Sequence, residues 1–323
     1  MKQSAENKSV GIDVSKAKID VAIITEDSGA IVRQFPNQTQ EDMEELAQWL
    51  AENGVGKDIP VVIESTGSYH WLPCIILSGH GFSVRLINPL ITKRYEKSSV
   101  RGAKTDTVDA KRLAEIGTLE KDLPVFFDSR ESLSGKKYHS LYAKVLKVNQ
   151  QLTRAYEDTL ESARSIGVSL ELESLEECLK QIQSTLRALK KIIEENVSNT
   201  ATELAKIKGI SKFQASVLCN AVEGKKFGNK DQLIAFFGLD VRVRQSGTWR
   251  GREKLSKRGN SFYRMILFQL GWSLSRNNEQ FRDYYNRLRG DGKHYYTCLI
   301  ATARKFLRFF YAYYLAKEGK SDF

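Results

Sequence analysis

Residues 9–35, SVGIDVSKAKIDVAIITEDSGAIVRQF, contain three runs rich in β-branched residues, separated by two short polar segments. The runs cover residues 9–14, 18–25 and 29–35. Short β-branched runs with turn-forming residues between them are typical of strands joined by tight connections. The stretch therefore predicts a three-stranded antiparallel meander at the start of an α/β domain.

Helices and strands alternate after this meander. Apolar spacing predicts helices over Thr39–Asn53 and Ser68–Leu77, and strands over 59–64 and 82–87. A last helix begins at Thr105 or Asp106. The order of strands and helices predicts a mixed five-stranded sheet in which the first strand lies beside the strand that follows the first helix.

Four acidic residues lie at informative places in this order. Asp13 is in the first strand and Glu64 ends the fourth, so parallel pairing would make them neighbours. The last helix could bring Asp106 and Asp109, three positions apart, against them. Four converging carboxylates repel one another unless cations lie between them, and they suit a pair of Mg²⁺ ions roughly 4 Å apart.

A simpler interpretation of the last helix stays open. Asp106 and Asp109 lie in RGAKTDTVDAKRLAEIG, residues 101–117, where Thr105 or Asp106 could be an N-cap. Both acids would then only favour the positive end of the helix dipole. The metal interpretation depends on the whole set of four acids.

Charge is distributed unevenly over the 323 residues, of which 41% are hydrophobic and 28% charged. The net charge is +11, and residues 200–323 carry 24 Lys and Arg against 10 Asp and Glu. A basic domain of this kind indicates a nucleic-acid partner, although a basic surface alone is the alternative. We predict domains at 1–128, 129–199 and 200–323. The polar N-terminus and the absence of a long apolar run predict a cytoplasmic protein.

The second half of the sequence predicts helices and one basic loop. Residues 131–198 lack proline and have helical apolar spacing, which predicts two long helices that form a hairpin or pair with another subunit. Around Lys208 and Gly209 we expect a helix-hairpin-helix that contacts phosphate, or an ordinary helical hairpin. Residues 238–260 are rich in glycine and arginine and predict a loop or short strands. Ser246 lies among these arginines and could bind phosphate or attack it.

Several motifs resemble those of one known family. GIDVSK (11–16), ESTGSY (64–69) and RGAKTDTVDAKRLA (101–114) are similar to the DEDD motifs of insertion-sequence transposases related to the Piv DNA invertase, also known as bridge-RNA-guided recombinases. The C-terminal Ser246-Gly247 pair and the block SKRGN (256–260) continue the resemblance. One departure is Asp240-Val241, where relatives often have proline.

The resemblance implies a function and its residues. It implies an RNase H or RuvC-like N-terminal domain in which Asp13, Glu64, Asp106 and Asp109 bind Mg²⁺, and a nucleophilic Ser246. It also implies target and donor DNA and a structured noncoding bridge RNA as partners. We further expect a homo-oligomer, a dimer or tetramer, that is associated with the bacterial nucleoid when active. The residues expected to bind nucleic acid are Lys16, Arg101, Lys104, Lys208, Gly209, Arg242, Arg244, Gly247, Arg250, Arg252, Lys257 and Arg258.

Three alternative functions stay open at this point. A RuvC-like nuclease would use water as the nucleophile, with Ser246 only binding phosphate. A sugar or acetate kinase-like protein also opens with a Gly-Ile-Asp strand, but we find no second phosphate-binding repeat of that strand. An inert nucleic-acid-binding protein would use none of the four acids in a reaction.

Overall fold

The structure is a computed structural model that describes residues 7–27, 29–65, 67–96, 106–126, 130–242, 245–246, 249–250 and 254–312. The chain divides into two compact units, Met1–Arg130 and Glu131–Phe323. The division into three domains, with boundaries after residues 128 and 199, stays a prediction.

The first unit is built on a mixed five-stranded sheet, as the order of elements predicts. The strands are β1 (Asn7–Val14), β2 (Lys18–Thr25), β3 (Ala30–Pro36), β4 (Pro60–Glu64) and β5 (Ser83–Ile87). Their order in the sheet is β3-β2-β1-β4-β5, in which β1 pairs antiparallel with β2, and β2 with β3. The pairs β1–β4 and β4–β5 are parallel.

Four helices accompany the sheet: α1 (Gln40–Glu52), α2 (Trp71–Gly79), α3 (Pro89–Glu96) and α4 (Asp106–Leu119). Thr39 caps α1 through a capping box, so its predicted start is confirmed. Helix α2 begins later than the predicted Ser68. Helix α3, which follows the strand predicted at 82–87, was not predicted. Proline is in fact well suited to a first helical position, and the Asn88 side chain accepts a hydrogen bond from the Leu90 N–H at 2.9 Å.

The second unit is mainly helical. Its two long helices confirm the prediction from apolar spacing, and the Tyr156 hydroxyl of the first donates a hydrogen bond to Glu176 of the second. The elements are α5 (Arg130–Ser165), α6 (Glu173–Glu195), α7 (Asn199–Ala205), α8 (Lys212–Val222), α9 (Lys230–Phe236), β6 (Val241–Arg242), β7 (Gln245–Ser246), β8 (Trp249–Arg250), β9 (Lys254–Leu255), α10 (Ser261–Asn277), α11 (Glu279–Gly290) and α12 (Tyr295–Phe310). Buried side chains of α7, α8, α9, α10, α11 and α12 share one hydrophobic cluster.

Within the described residues, neither disulfide bonds nor membrane-spanning helices contribute to the fold. All four cysteines are free thiols, and only Cys178 is exposed. Among the helices in the described ranges, none is both long enough and apolar enough to cross a bilayer.

Candidate active site and nucleic-acid interface

Asp13 and Glu64 lie at neighbouring positions on two adjacent parallel strands. Ile12 of β1 pairs with Ile63 of β4, so the next residue of each strand is the acid. Both acids are partly buried. The sheet therefore places these two residues side by side at one end of β1 and β4, as the strand order predicts.

Glycines set how α4 packs on this sheet. A Cβ atom built on Gly11 would lie 2.0 Å from the Ala110 carbonyl oxygen and 2.3 Å from the Ala114 nitrogen. A Cβ atom built on Gly117 would lie 2.1 Å from the Ser9 hydroxyl oxygen. The backbone of α4 thus touches β1 at positions where no side chain fits. Since Gly117 lies against Ser9 and the earlier Ala110 and Ala114 lie against Gly11, α4 runs antiparallel to β1.

This packing places the start of α4 beside Asp13. Side chains alternate along a strand, so Asp13 projects from the same face of β1 as Gly11 and Ser9. Two residues of strand span roughly 6.6 Å, which corresponds to about four to five residues of helix. Four to five residues before the part of α4 that contacts Gly11 lies its first turn, Asp106–Asp109. Helix α4 thus begins over the end of β1 that carries Asp13.

The structure describes the side chain of Asp109 but not that of Asp106. Asp109 is partly buried, and its carboxylate accepts a hydrogen bond from the Arg112 guanidinium at 2.9 Å. Asp106 is the first residue of α4, and its side chain lies outside the described atoms. The helix begins where the sequence predicts it. Both acids fall in its first turn, where backbone N–H groups favour negative charge.

No group of three or more Asp, Glu, His or Cys side chains could hold a metal ion among the residues that the structure describes. The side chain of Asp106 is not among those residues. The donor types suit a hard divalent cation, because carboxylate oxygens are the ligands that Mg²⁺ prefers. Convergence of all four acids on a metal stays a prediction.

Asp20 is a nearby acid that sequence reasoning missed. It pairs directly with Asp13 across β1 and β2, and it is buried. Lys18 lies 3.3 Å from one of its carboxylate oxygens, and Gln34 donates a hydrogen bond to the other at 3.0 Å. The signal was present in the sequence, since an antiparallel pair closed by a tight turn at residues 15–17 sets Asp13 opposite Asp20.

Ser246 lies at the end of a short strand. Residues Gln245 and Ser246 form β7, which pairs antiparallel with β8, and Ser246 is opposite Trp249. The prediction of a loop or short strands in this stretch is confirmed. The Ser246 side chain lies outside the described atoms, so the backbone alone places it, three positions in sequence before its strand partner.

The motif 256–260 anchors the chain on either side of these strands. The Ser256 hydroxyl donates to the Asp240 carboxylate, and the Ser256 N–H donates to the Asp240 carbonyl oxygen at 2.9 Å. Asp240, the departure from the family pattern, is therefore a hydrogen-bond partner of the motif. These bonds adjoin the β6–β9 pair, in which Val241 is opposite Leu255.

Glycine and asparagine complete this anchor. A Cβ atom built on Gly259 would lie 2.4 Å from the Phe236 carbonyl oxygen and 2.7 Å from the Gly238 nitrogen, so only glycine fits. The Asn260 side chain caps α10 by accepting from the Phe262 N–H at 2.8 Å. The motif thus ties the strands to α9 and α10.

The predicted nucleic-acid-binding residues fall into three groups. Lys16, Lys208, Lys257 and Arg258 are exposed, and Gly209 is partly buried in the turn between α7 and α8. For Arg242 and Arg250, only the backbone is described. Outside the described residues lie Arg101, Lys104, Arg244, Gly247 and Arg252.

Comparison with known proteins defines the class of this chain as a transposase. Residues 10–161 match the model of a DEDD transposase domain of the IS110 type, described as "Transposase". Residues 201–286 match the model described as "Transposase IS116/IS110/IS902 family". Together the two models cover most of the chain. The chain belongs to the IS110 family of transposases and is a DNA recombinase of that family.

Named relatives agree with this assignment. The chain is 27% identical to the "Pilin gene-inverting protein" of Moraxella bovis over 316 residues, which cover 94% of each chain. The same protein of Moraxella lacunata is also 27% identical over 94% of each chain. A "Probable family 20 transposase" of Pseudomonas aeruginosa is 24% identical over 64% of this chain and 68% of its own length.

Proposed function

We propose that this transposase cuts and rejoins DNA through a covalent phosphoserine intermediate formed by Ser246. The hydroxyl oxygen of Ser246 attacks a DNA phosphorus, and the bond from phosphorus to the 3′ oxygen breaks. The serine proton ends on the released 3′-hydroxyl. Attack of a 3′-hydroxyl on the phosphoserine reverses the step on another strand, so the phosphodiester energy is conserved and no ATP is needed.

The adjacency of Asp13 and Glu64, with the start of α4 laid over Asp13, is the observation that carries the metal-dependent part of the proposal. The strand order β3-β2-β1-β4-β5 further supports an RNase H or RuvC-like fold. Asp13, Glu64, Asp106 and Asp109 would hold the divalent metal, most simply as a two-Mg²⁺ site. When bound, Mg²⁺ polarises the phosphate and stabilises the charge that develops on its oxygens.

The position of Ser246 and its neighbours in sequence support its role as the nucleophile. It ends β7 immediately before Gly247, between Arg244 and Arg250. Guanidinium groups bind phosphate oxygens through paired hydrogen bonds, which would hold the phosphate for attack. The anchor formed by Asp240 and Ser256 supports the strands that carry Ser246.

The other basic residues would bind the nucleic-acid backbone. We assign the turn between α7 and α8 as a helix-hairpin-helix, in which Lys208 and Gly209 approach a phosphate. Target and donor DNA are the substrates. The strong positive charge of residues 200–323 also suits a structured guide RNA, whose base pairing would select the DNA.

An oligomer is part of this proposal. Leu141 and Val148, one heptad apart on α5, are 48% and 52% exposed. An apolar pair at this spacing favours a helical contact with a second copy. Light scattering is expected to give a dimer or tetramer, and a monomer at all concentrations, with or without DNA, would contradict it.

The serine step is tested with Ser246→Ala. The variant is expected to bind DNA normally but to form no covalent protein–DNA adduct on a denaturing gel. Ser169→Ala, at an exposed serine in the turn between α5 and α6, is the control and should form the adduct. If Ser246→Ala still cleaves DNA, water is the nucleophile and the chain is a RuvC-like nuclease.

The metal site is tested by Mn²⁺ binding, measured by electron paramagnetic resonance. Asp13→Asn is expected to lose most of the binding. Asp20→Asn is the matched control, because Asp20 is already paired with Lys18 and Gln34. Equal Mn²⁺ affinity of Asp13→Asn and the unchanged chain would refute the metal assignment.

RNA guidance is tested by sequencing the nucleic acid that copurifies with the chain. One structured noncoding RNA is the expected product. A random sample of cellular RNA would contradict RNA guidance and leave the serine step untouched.

A further inference from the structure

The second unit has an open groove of about 850 Å³ beside the turn between α7 and α8. The turn contributes Lys208 and Gly209, and a Cβ atom built on Gly209 would lie 3.3 Å from the Ser273 carbonyl oxygen of α10. The turn therefore packs closely on α10. The aromatic residues that line the groove are Phe268, Trp272, Tyr295 and Tyr296.

Two of these aromatic residues are exposed to solvent, unlike the aromatic residues of the hydrophobic core. Trp272 is 41% exposed and Tyr296 is 59% exposed. The Tyr296 ring stacks on the Phe268 ring, with centroids 5.6 Å apart and planes 28° apart. His294 stacks on Tyr296 as well, with centroids 5.5 Å apart. Trp272 and Tyr296 thus offer exposed aromatic surface along the groove, and the rings of Phe268 and His294 hold Tyr296 in place.

The charge at the groove favours an anion. Lys208 is exposed in the wall, and the Arg276 guanidinium, which is not part of the lining, lies over Trp272 with its central carbon 4.2 Å from the ring centroid. Among the described residues that line the groove, none is acidic. A ligand that combines flat rings with negative charge fits both features, and an apolar peptide fits only the first.

We propose that this groove binds unpaired bases of a DNA strand, an inference that rests on the proposed DNA recombinase function. Bases in a duplex stack on one another, so only an unpaired strand can lay its bases on protein rings. Trp272 and Tyr296 stack the bases, while Lys208 lies beside the phosphates and Arg276 adds positive charge next to Trp272. Strand exchange separates each DNA strand from its partner and would supply such a ligand.

The test compares binding of fluorescein-labelled oligothymidylate with binding of a duplex of the same length, measured by anisotropy. Trp272→Ala and Tyr296→Ala are each expected to weaken oligothymidylate binding by roughly 5- to 150-fold, because loss of one stacked base costs that much affinity. Duplex binding should stay the same. Trp272→Phe, which keeps a ring, should retain most of the affinity for oligothymidylate.

Tyr284→Ala is the matched control. Tyr284 belongs to the same unit and has the Arg287 guanidinium 5.4 Å from its ring centroid, but it is not among the groove residues. This variant should bind both DNA forms normally. A strand of abasic sites keeps the phosphates and removes the bases, so its binding should not change in Trp272→Ala.

The outcomes separate this inference from the function on which it rests. If the chain binds duplex DNA but Trp272→Ala leaves oligothymidylate binding unchanged, only the groove assignment is wrong. Equal losses for duplex and single strand also overturn it, as does a loss confined to oligouridylate, which would make RNA the ligand. A chain that binds no DNA of either kind overturns the proposed function and the groove together.

Discussion

Replacing Gly11 with alanine should separate α4 from β1. The new Cβ atom would lie 2.0 Å from the Ala110 carbonyl oxygen, whereas ordinary contact begins at 3.4 Å. The helix must therefore move by about 1.4 Å, the difference between these distances, and the contact is with helix backbone that cannot rotate away. Overpacking of this kind costs typically 1–3 kcal/mol, and we expect about 3 kcal/mol because two further backbone atoms also clash.

The assay is urea unfolding of the full chain, followed by circular dichroism. Gly11→Ala should lower the unfolding midpoint of the first unit. Gly56→Ala is the control, because nothing lies within 4 Å of its added Cβ atom. Its free energy of unfolding should change by no more than about 0.5 kcal/mol.

The same change should affect the chemistry, because α4 carries Asp106 and Asp109. A misplacement of about 1 Å can cost roughly a hundredfold in rate, so DNA cleavage by the folded variant should fall by at least that factor. An unfolding midpoint for Gly11→Ala equal to that of Gly56→Ala would refute the packing argument. It would show that α4 does not lie on β1 as described.

Three further predictions concern stability. His139 is buried, and burial lowers its pKa to about 4, more than the neighbouring Asn220 amide raises it. The pKa of histidine in the unfolded chain is about 6.5, so the contribution of neutral His139 to the free energy of unfolding is fully present above that pH. This contribution falls by about 3 kcal/mol as the pH drops to 4. His139→Gln should remove this pH dependence in acid titrations of unfolding. Thr39→Ala removes the cap of α1 and should cost about 1 kcal/mol in urea unfolding, and an unchanged midpoint would contradict the capping box. Gly259→Ala should destabilise the second unit by about 2 kcal/mol in thermal unfolding, whereas Gly290→Ala, with open space around it, should match the parent chain.

Much of the first unit could be predicted because its signals are local. The β-branched runs gave the meander, apolar spacing gave α1, and the possible cap residues Thr105 and Asp106 gave the start of α4. The missed α3 shows the limit of such reasoning, since Asn88-Pro89 fits both the end of a strand and the start of a helix. Only the hydrogen bond from the Leu90 N–H to the Asn88 side chain decides between them.

The sequence by itself determined the order of strands and helices, the chain positions of the acids and the basic charge of the last third. These follow from residue type and spacing within short windows. The tertiary structure alone decided the direction of α4 across β1, the position of Asp20 opposite Asp13, and the groove that joins Lys208, Trp272 and Tyr296. Such features depend on close approach between residues that are distant in the chain, where a missing Cβ atom or a neighbouring ring matters more than local preference.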